Sequence, residues 1–133
     1  MIYNIVRPDT VIKVAMEKIS EKKQTMFPIV HAKTGVYCGY VTRDDINKYC
    51  VKFYGVSEES ITMIDVLFWV LGKLGQPRNI SVFEDTSQTL CIKIMLVSGL
   101  QFIPVIDYDG TYLGTIDAEG LRELTEFIIK KLE

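Results

Sequence analysis

Histidine is almost missing from this sequence; the single one is His31. A zinc site needs about four clustered ligands, and imidazole-based catalysis needs its imidazole beside a nucleophile, so neither chemistry finds its residues here. Cysteine is scarce and odd in number. Cys38, Cys50 and Cys91 are widely spaced and form no C-x-x-C, which excludes a disulfide framework and predicts buried, reduced thiols in a cytosolic protein. A surplus of basic charge is missing too. Fifteen Lys and Arg against seventeen Asp and Glu leave a net charge of −2, which speaks against a general nucleic-acid binder. No apolar run approaches the roughly 18 residues of a membrane span. The densest, Val66 to Leu71, stops at Gly72-Lys73. The N-terminus has no basic region followed by an apolar stretch, so no signal peptide is read and a cytoplasmic setting is expected. G-x-S-x-G, Walker and H-E-x-x-H motifs are all absent, and an enzyme is not expected.

What is present is an ordinary globular composition. Of 133 residues, 48% are hydrophobic and 24% charged, which suits one domain or one domain built of two small repeats. The chain does repeat itself. Asp9-Thr10 returns as Asp85-Thr86, and Val14, Ala15, Met16 and Ile19 return as Leu90, Cys91, Ile92 and Met95. Phe27-Pro28-Ile29-Val30 returns as Ile103-Pro104-Val105-Ile106. One residue is then lost, after which Gly35, Tyr37, Gly39, Val41 and Ile46 match Gly110, Tyr112, Gly114, Ile116 and Leu121. Identities are few, but apart from Tyr37 and Tyr112 they fall on Gly, Pro, Asp and Thr, residue types that fix backbone geometry.

Each copy reads as β-α-β-β-α. Short apolar stretches come first, Ile5-Val6 and Ile80 to Phe83. Asp9-Thr10 and Asp85-Thr86 are expected N-caps for helices near 11–22 and 87–98, the second stopped by Gly99. Hairpins follow, with strands at 27–31 and 37–42 around Lys33-Thr34-Gly35, and at 102–107 and 112–117 around Asp109-Gly110. Closing helices start at Arg43 and Ala118. The intervening segment predicts a helix opening at Ser57-Glu58-Glu59. Its stripe would be Ile61, Ile64, Leu67 or Phe68, Leu71 and Leu74, and Gly75-Gln76-Pro77 would end it. Met63, Val66, Trp69 and Val70 add apolar surface on its other faces, as in a helix buried in the fold or in an oligomer interface. A last stripe, Leu121-Leu124-Ile128-Leu132, suits docking or dimerisation.

Two segments carry a family resemblance. One is the apolar-x-Pro-apolar-apolar strand, Met26-Phe27-Pro28-Ile29-Val30 and Phe102-Ile103-Pro104-Val105-Ile106; the other is Gly39-Tyr40-Val41-Thr42-Arg43-Asp44-Asp45. Occurring in order at matching spacing, they resemble the tandem cystathionine-β-synthase-type (CBS) domain pair, or Bateman module. The resemblance implies an α+β fold of two β-α-β-β-α repeats about a pseudo-twofold axis, with repeat one at 1–49, a linker helix within 50–79 and repeat two at 80–133. It implies a regulatory module rather than an enzyme. Such a module needs no cofactor and binds AMP, ADP, ATP or S-adenosylmethionine in a cleft between repeats. It forms a homodimer through its helices and acts on an enzyme or transporter, without membrane insertion. It assigns the ligand seat to Thr42, Asp45, Arg43, Phe27, Pro28 and Ile5, with Asp45 on the ribose and the Pro-containing strand beside the adenine. A carboxylate can accept from both ribose hydroxyls, and free N–H groups at a helix start attract phosphate, with Arg43 neutralising charge.

The same Thr42 and Asp45 also spell a capping box, which needs no ligand. Repeat two departs from the pattern: Asp117 replaces the Thr and Gly120 the Asp, so Asp117 can cap but the ribose carboxylate is gone. At most one nucleotide site is therefore expected. His31 reads as a turn residue and Trp69 as core or interface. Arg7 and Arg78 read as solvated arginines or as groups reaching phosphate. Two alternatives stand beside ligand sensing: a ligand-free dimerisation or docking module, which the altered second repeat supports, and an enzyme of small-molecule metabolism, which the missing catalytic cluster opposes.

Overall fold

Among the described residues, nine elements run in the order α1 (Ile12–Lys22), β1 (Met26–Val30), β2 (Tyr37–Thr42), α2 (Arg43–Lys52), α3 (Met63–Gly72), β3 (Val82–Phe83), α4 (Gln88–Ser98), β4 (Phe102–Ile106) and β5 (Tyr112–Asp117). They come from a computed structural model that describes residues 4–22, 24–120 and 130–131, with the backbone alone at 19–22. The expected stripe from Leu121 to Leu132 lies outside the described residues. The elements group into two compact units, one over Tyr3–Ile80 and the other from Ser81 onward.

The two units repeat each other down to their irregularities. β1 and β2 pair antiparallel with Pro28 opposite Tyr40, and β4 and β5 pair antiparallel with Pro104 opposite Thr115. Both ladders slip register at the same place, between Ile29 and Val30 and between Val105 and Ile106. Each Pro strand also takes a parallel neighbour, an isolated bridge from Val6 to Ile29 in the first unit and the short β3 in the second. The Arg43 N–H donates to the Thr25 carbonyl and the Ala118 N–H to the Gln101 carbonyl, each at 2.8 Å, so both closing helices start against the same point of their hairpin. The two hairpin turns place Gly35 and Gly110 at φ 71° and 86°, which explains the glycine at each.

The Asp-Thr pairs do not cap α1 and α4. The Thr10 and Thr86 hydroxyls instead accept the Arg7 and Phe83 N–H groups, at 2.9 and 3.0 Å, and close a turn ahead of each helix. Ser87 caps α4, and Gly99, at φ 73°, ends it. The first N–H groups of α1, from Ile12 and Lys13, reach the carbonyls of Ile61 and Glu58. In return Met63 and Ile64 donate to Thr10 and Pro8.

That exchange moves the start of α3 to Met63. Ser57 closes a turn with Ser60, and Thr62 and Asp65 form the capping box that opens the helix. Of the expected stripe Ile61 and Leu67 are buried, but Leu71, Leu74 and Phe68 are exposed, Phe68 at 64%; the buried face of α3 is Met63, Val66, Leu67 and Val70. These side chains join Val6, Ile12, Ala15, Phe27, Ile29, Val41, Ile46 and Ile61 in the core of the first unit. The second core gathers Val82, Cys91, Met95 and Ile103. Ala15 and Cys91, equivalent in the repeat, both point into their cores. Trp69 packs edge-on to Tyr49 and Phe53 between α2 and α3, at ring separations of 5.4 and 6.0 Å. The three cysteines are free thiols; Cys91 is buried, whereas Cys38 and Cys50 are half-buried because their strand and helix faces reach the surface.

Candidate functional site

β2 ends at Thr42, whose extended backbone (φ −98°, ψ 162°) turns the chain into α2. Its hydroxyl accepts the Asp45 N–H at 3.0 Å, and the Thr42 N–H donates to Asp45 Oδ2 at 2.9 Å. The capping reading of this motif is therefore realised. It holds the Asp45 carboxylate at the mouth of the helix, where the dipole favours an anion.

The carboxylate has a second partner. Arg78 Nε donates to Asp45 Oδ2 at 2.7 Å and Nη2 to Oδ1 at 2.9 Å, a two-pronged pair. Arg78 is neither solvated nor reaching toward an external phosphate; it closes on Asp45. Its Nη1 donates to the Pro77 carbonyl at 2.8 Å, and its guanidinium lies 5.7 Å from the Tyr40 ring centre. The side chain of Asp45 is 2% exposed and that of Arg78 17%. Burial opposes ionisation of Asp45, but the Arg78 and Thr42 hydrogen bonds outweigh it and hold the carboxyl below its ordinary range. The bonds between Arg78 and Asp45 raise the already high pKa of Arg78.

The backbone brings Arg78 there. The Tyr40 N–H donates to the Arg78 carbonyl at 2.7 Å and the Tyr37 hydroxyl to the Ile80 carbonyl at 3.1 Å, so residues 78–80 lie along the edge of β2. Gly39 permits the approach. At φ 137°, a Cβ there would come within 2.8 Å of the Arg78 carbonyl oxygen.

The remaining predicted residues are placed as follows. Arg43 is exposed beside Thr42. Phe27 is fully buried in the first core, as its counterpart Ile103 is in the second. Pro28 is buried on β1, and the expected Ile5-Val6 strand is reduced to the bridge at Val6, whose N–H donates to the Pro28 carbonyl at 3.0 Å. Ile5 is 41% exposed. The structure thus gathers Thr42, Arg43 and Asp45 at one helix start. The N–H groups of Thr42, Arg43 and Asp45 already have protein partners, which leaves fewer donors for an anion at this turn than the sequence suggested. In the second unit Asp117 Oδ1 accepts the Gly120 N–H at 2.6 Å, the cap expected of it. His31 is exposed, and its Nδ1 accepts N–H groups of the turn it opens. Two open clefts of about 420 and 450 Å³ flank Trp69, and a third, of about 270 Å³, is lined by Glu84, Asp85 and Tyr108; Thr42 and Asp45 line none of these.

Sequence reasoning missed Arg78 as the partner of Asp45, and it missed a second Thr-x-x-Asp box. Thr62-Met63-Ile64-Asp65 repeats the spacing of Thr42 to Asp45, a signal legible in the sequence.

The CBS-domain sequence pattern matches residues 3–52 and 71–125. The chain belongs to the CBS-domain family. With two matched segments it is a tandem CBS pair, and proteins of this kind are regulatory. Among solved structures it is similar to CBSX2 in complex with AMP, at 21% identity and a TM-score of 0.71, over 95% of this chain and 89% of that one. It is similar to CbpB in complex with c-di-AMP, at 14% identity and a TM-score of 0.77, over 98% and 81%. The CBS domains of a transcriptional regulator from Streptococcus pneumoniae align at 19% identity and a TM-score of 0.70, over 91% and 87%. At these identities the likeness is one of fold. Comparison with curated protein sequences gives no match. Among the described residues, no helix is long and apolar enough to cross a membrane.

Proposed function

We propose that this CBS pair is a regulatory module that senses an adenosine-containing ligand and has one competent seat, at Thr42 and Asp45. The observation that carries this reading is the geometry of Asp45. Its two oxygens, fixed by the capping box, already accept a forked donor, and the vicinal hydroxyls of a ribose are a forked donor as well. The AMP and c-di-AMP complexes of CBSX2 and CbpB support the ligand class. Ile5 and Pro28 would flank the adenine, and Arg43 would meet phosphate. A ligand that binds one arrangement of the protein better than another shifts its population, and that shift would reach an enzyme or transporter partner.

One observation favours a second reading, a docking module without a ligand: Arg78 already fills the fork. Exposed Val51 on the last turn of α2, Tyr54 just beyond it, and Phe68 on α3 would then supply the docking surface, including that of a homodimer. Thermal unfolding with AMP, ADP, ATP, S-adenosylmethionine and c-di-AMP separates the two. A ligand at 100 times its Kd adds about 2.7 kcal/mol, which raises the midpoint by several degrees. The sensing reading expects such a rise with at least one of them and its loss in Asp45→Ala. A flat response to all five, from protein that unfolds cooperatively, overturns it in favour of docking.

A further inference from the structure

The Asp45 carboxylate offers about four acceptor positions. One is used by the Thr42 N–H, and the two along its outer edge are used by Nε and Nη2 of Arg78. A ribose diol needs that same outer edge. Diol and guanidinium are therefore mutually exclusive on Asp45, and the arginine is already in place.

Arg78 is held at two independent points. Its carbonyl is tied to the Tyr40 N–H against Gly39, while its side chain extends over the Tyr40 ring. The first point does not depend on the second. The guanidinium can leave Asp45 by rotating about its own side-chain bonds, with its backbone still fixed to β2, and so it stays within a side chain's length of the seat it vacates. A displaced guanidinium at low exposure needs a new anion. A phosphate is one that it can grip with the same two-pronged geometry.

We propose that Arg78 is a built-in competitor for the ligand seat at Asp45, and that it makes the seat selective for phosphate-bearing adenosine ligands over the bare nucleoside. The proposal rests on the adenosine reading above. Adenosine takes the carboxylate and leaves the arginine without a partner. AMP takes the carboxylate and supplies a replacement. An occupied seat lowers apparent affinity by the fraction of molecules in which it is open. With an open population of about 10% or less, the loss is tenfold or greater.

Calorimetric titration of the full chain with adenosine and with AMP tests this, on the wild type, Arg78→Ala, Arg78→Lys and Asp45→Asn. The expected result is that Arg78→Ala binds adenosine at least about tenfold more tightly than the wild type, and that its preference for AMP over adenosine shrinks by a similar factor. Arg78→Lys keeps the charge without the fork, so it gains part of the adenosine affinity and retains part of the AMP preference. It also carries the comparison if Arg78→Ala does not fold. Asp45→Asn weakens both ligands. If the wild type binds AMP and neither Arg78 variant gains affinity for adenosine, Arg78 is a structural brace and the competitor role is overturned while the adenosine reading stands. If no protein in the set binds either ligand, the adenosine reading falls and the competitor role falls with it. Binding by Arg78→Ala alone, with a silent wild type, means that Arg78 closes the seat outright, which overturns both the phosphate selectivity and the sensing reading of the wild-type protein.

Discussion

Removing the Thr42 hydroxyl takes one bond from the Asp45 N–H and loosens the carboxylate that faces Arg78. Loss of such a cap costs about 0.5–2 kcal/mol. Thr42→Ala is expected to lower the thermal midpoint by an amount in that range, and Thr62→Ala, which breaks the matching box on α3, by a comparable amount. Only the first is expected to weaken ligand binding as well, which titration of both variants checks. Acid separates the residues further. Because Asp45 ionises more readily folded than unfolded, its contribution is complete above the ordinary aspartate value of 3.8 and is lost as the pH falls below it. Arg78 stays charged throughout. Urea denaturation across that range is expected to show a shallower acid decline for Asp45→Asn than for the wild type. At this scale the sequence revealed the Thr42 cap, because its two members are three residues apart. It did not reveal Arg78, which is 33 residues from Asp45 and meets it only because residues 78–80 lie along β2.

Secondary elements were legible wherever a local signal had one solution. Glycine at each hairpin, glycine after α4 and the apolar runs around Pro28 and Pro104 fixed both hairpins to within a residue. α3 had two solutions, because it is apolar on nearly every side. What chose between them was tertiary: the box at Thr62 and the exchange of hydrogen bonds between residues 58–64 and 8–13. The choice is testable by paired truncations. Leu67→Ala is expected to destabilise by about 2–5 kcal/mol, since it opens a cavity in the first core. Phe68→Ala, one residue on and facing outward, is expected to change stability by less than about 0.5 kcal/mol. Chemical denaturation of the two variants decides it; equal losses would put Phe68 in the core beside Leu67. Gly39→Ala belongs to the same scale. It is expected to separate residues 78–80 from β2, seen as faster amide exchange at Tyr40.

For the whole molecule, the doubling of the fold does not double the site. The second unit keeps its hairpin, its turn and its cap, but Gly120 stands where Asp45 stands in the first. One adenosine ligand per chain is the expected stoichiometry, measured by titration. Two would mean that the second unit binds through residues other than its cap. The doubling was visible in the sequence through a handful of Gly, Pro, Asp and Thr pairs, since most of the remaining core positions require only an apolar side chain.

The register slip between Ile29 and Val30, mirrored between Val105 and Ile106, bears on ancestry. Apolar alternation and glycine turns arise independently wherever a hairpin covers a core. A misstep in the ladder has many places to fall, and here it falls at the same step twice. On the facing strand it falls between the same two letters in both halves, Gly39 and Tyr37 in one and Gly114 and Tyr112 in the other. A shared fault beside shared letters is what two copies of one ancestral hairpin would carry.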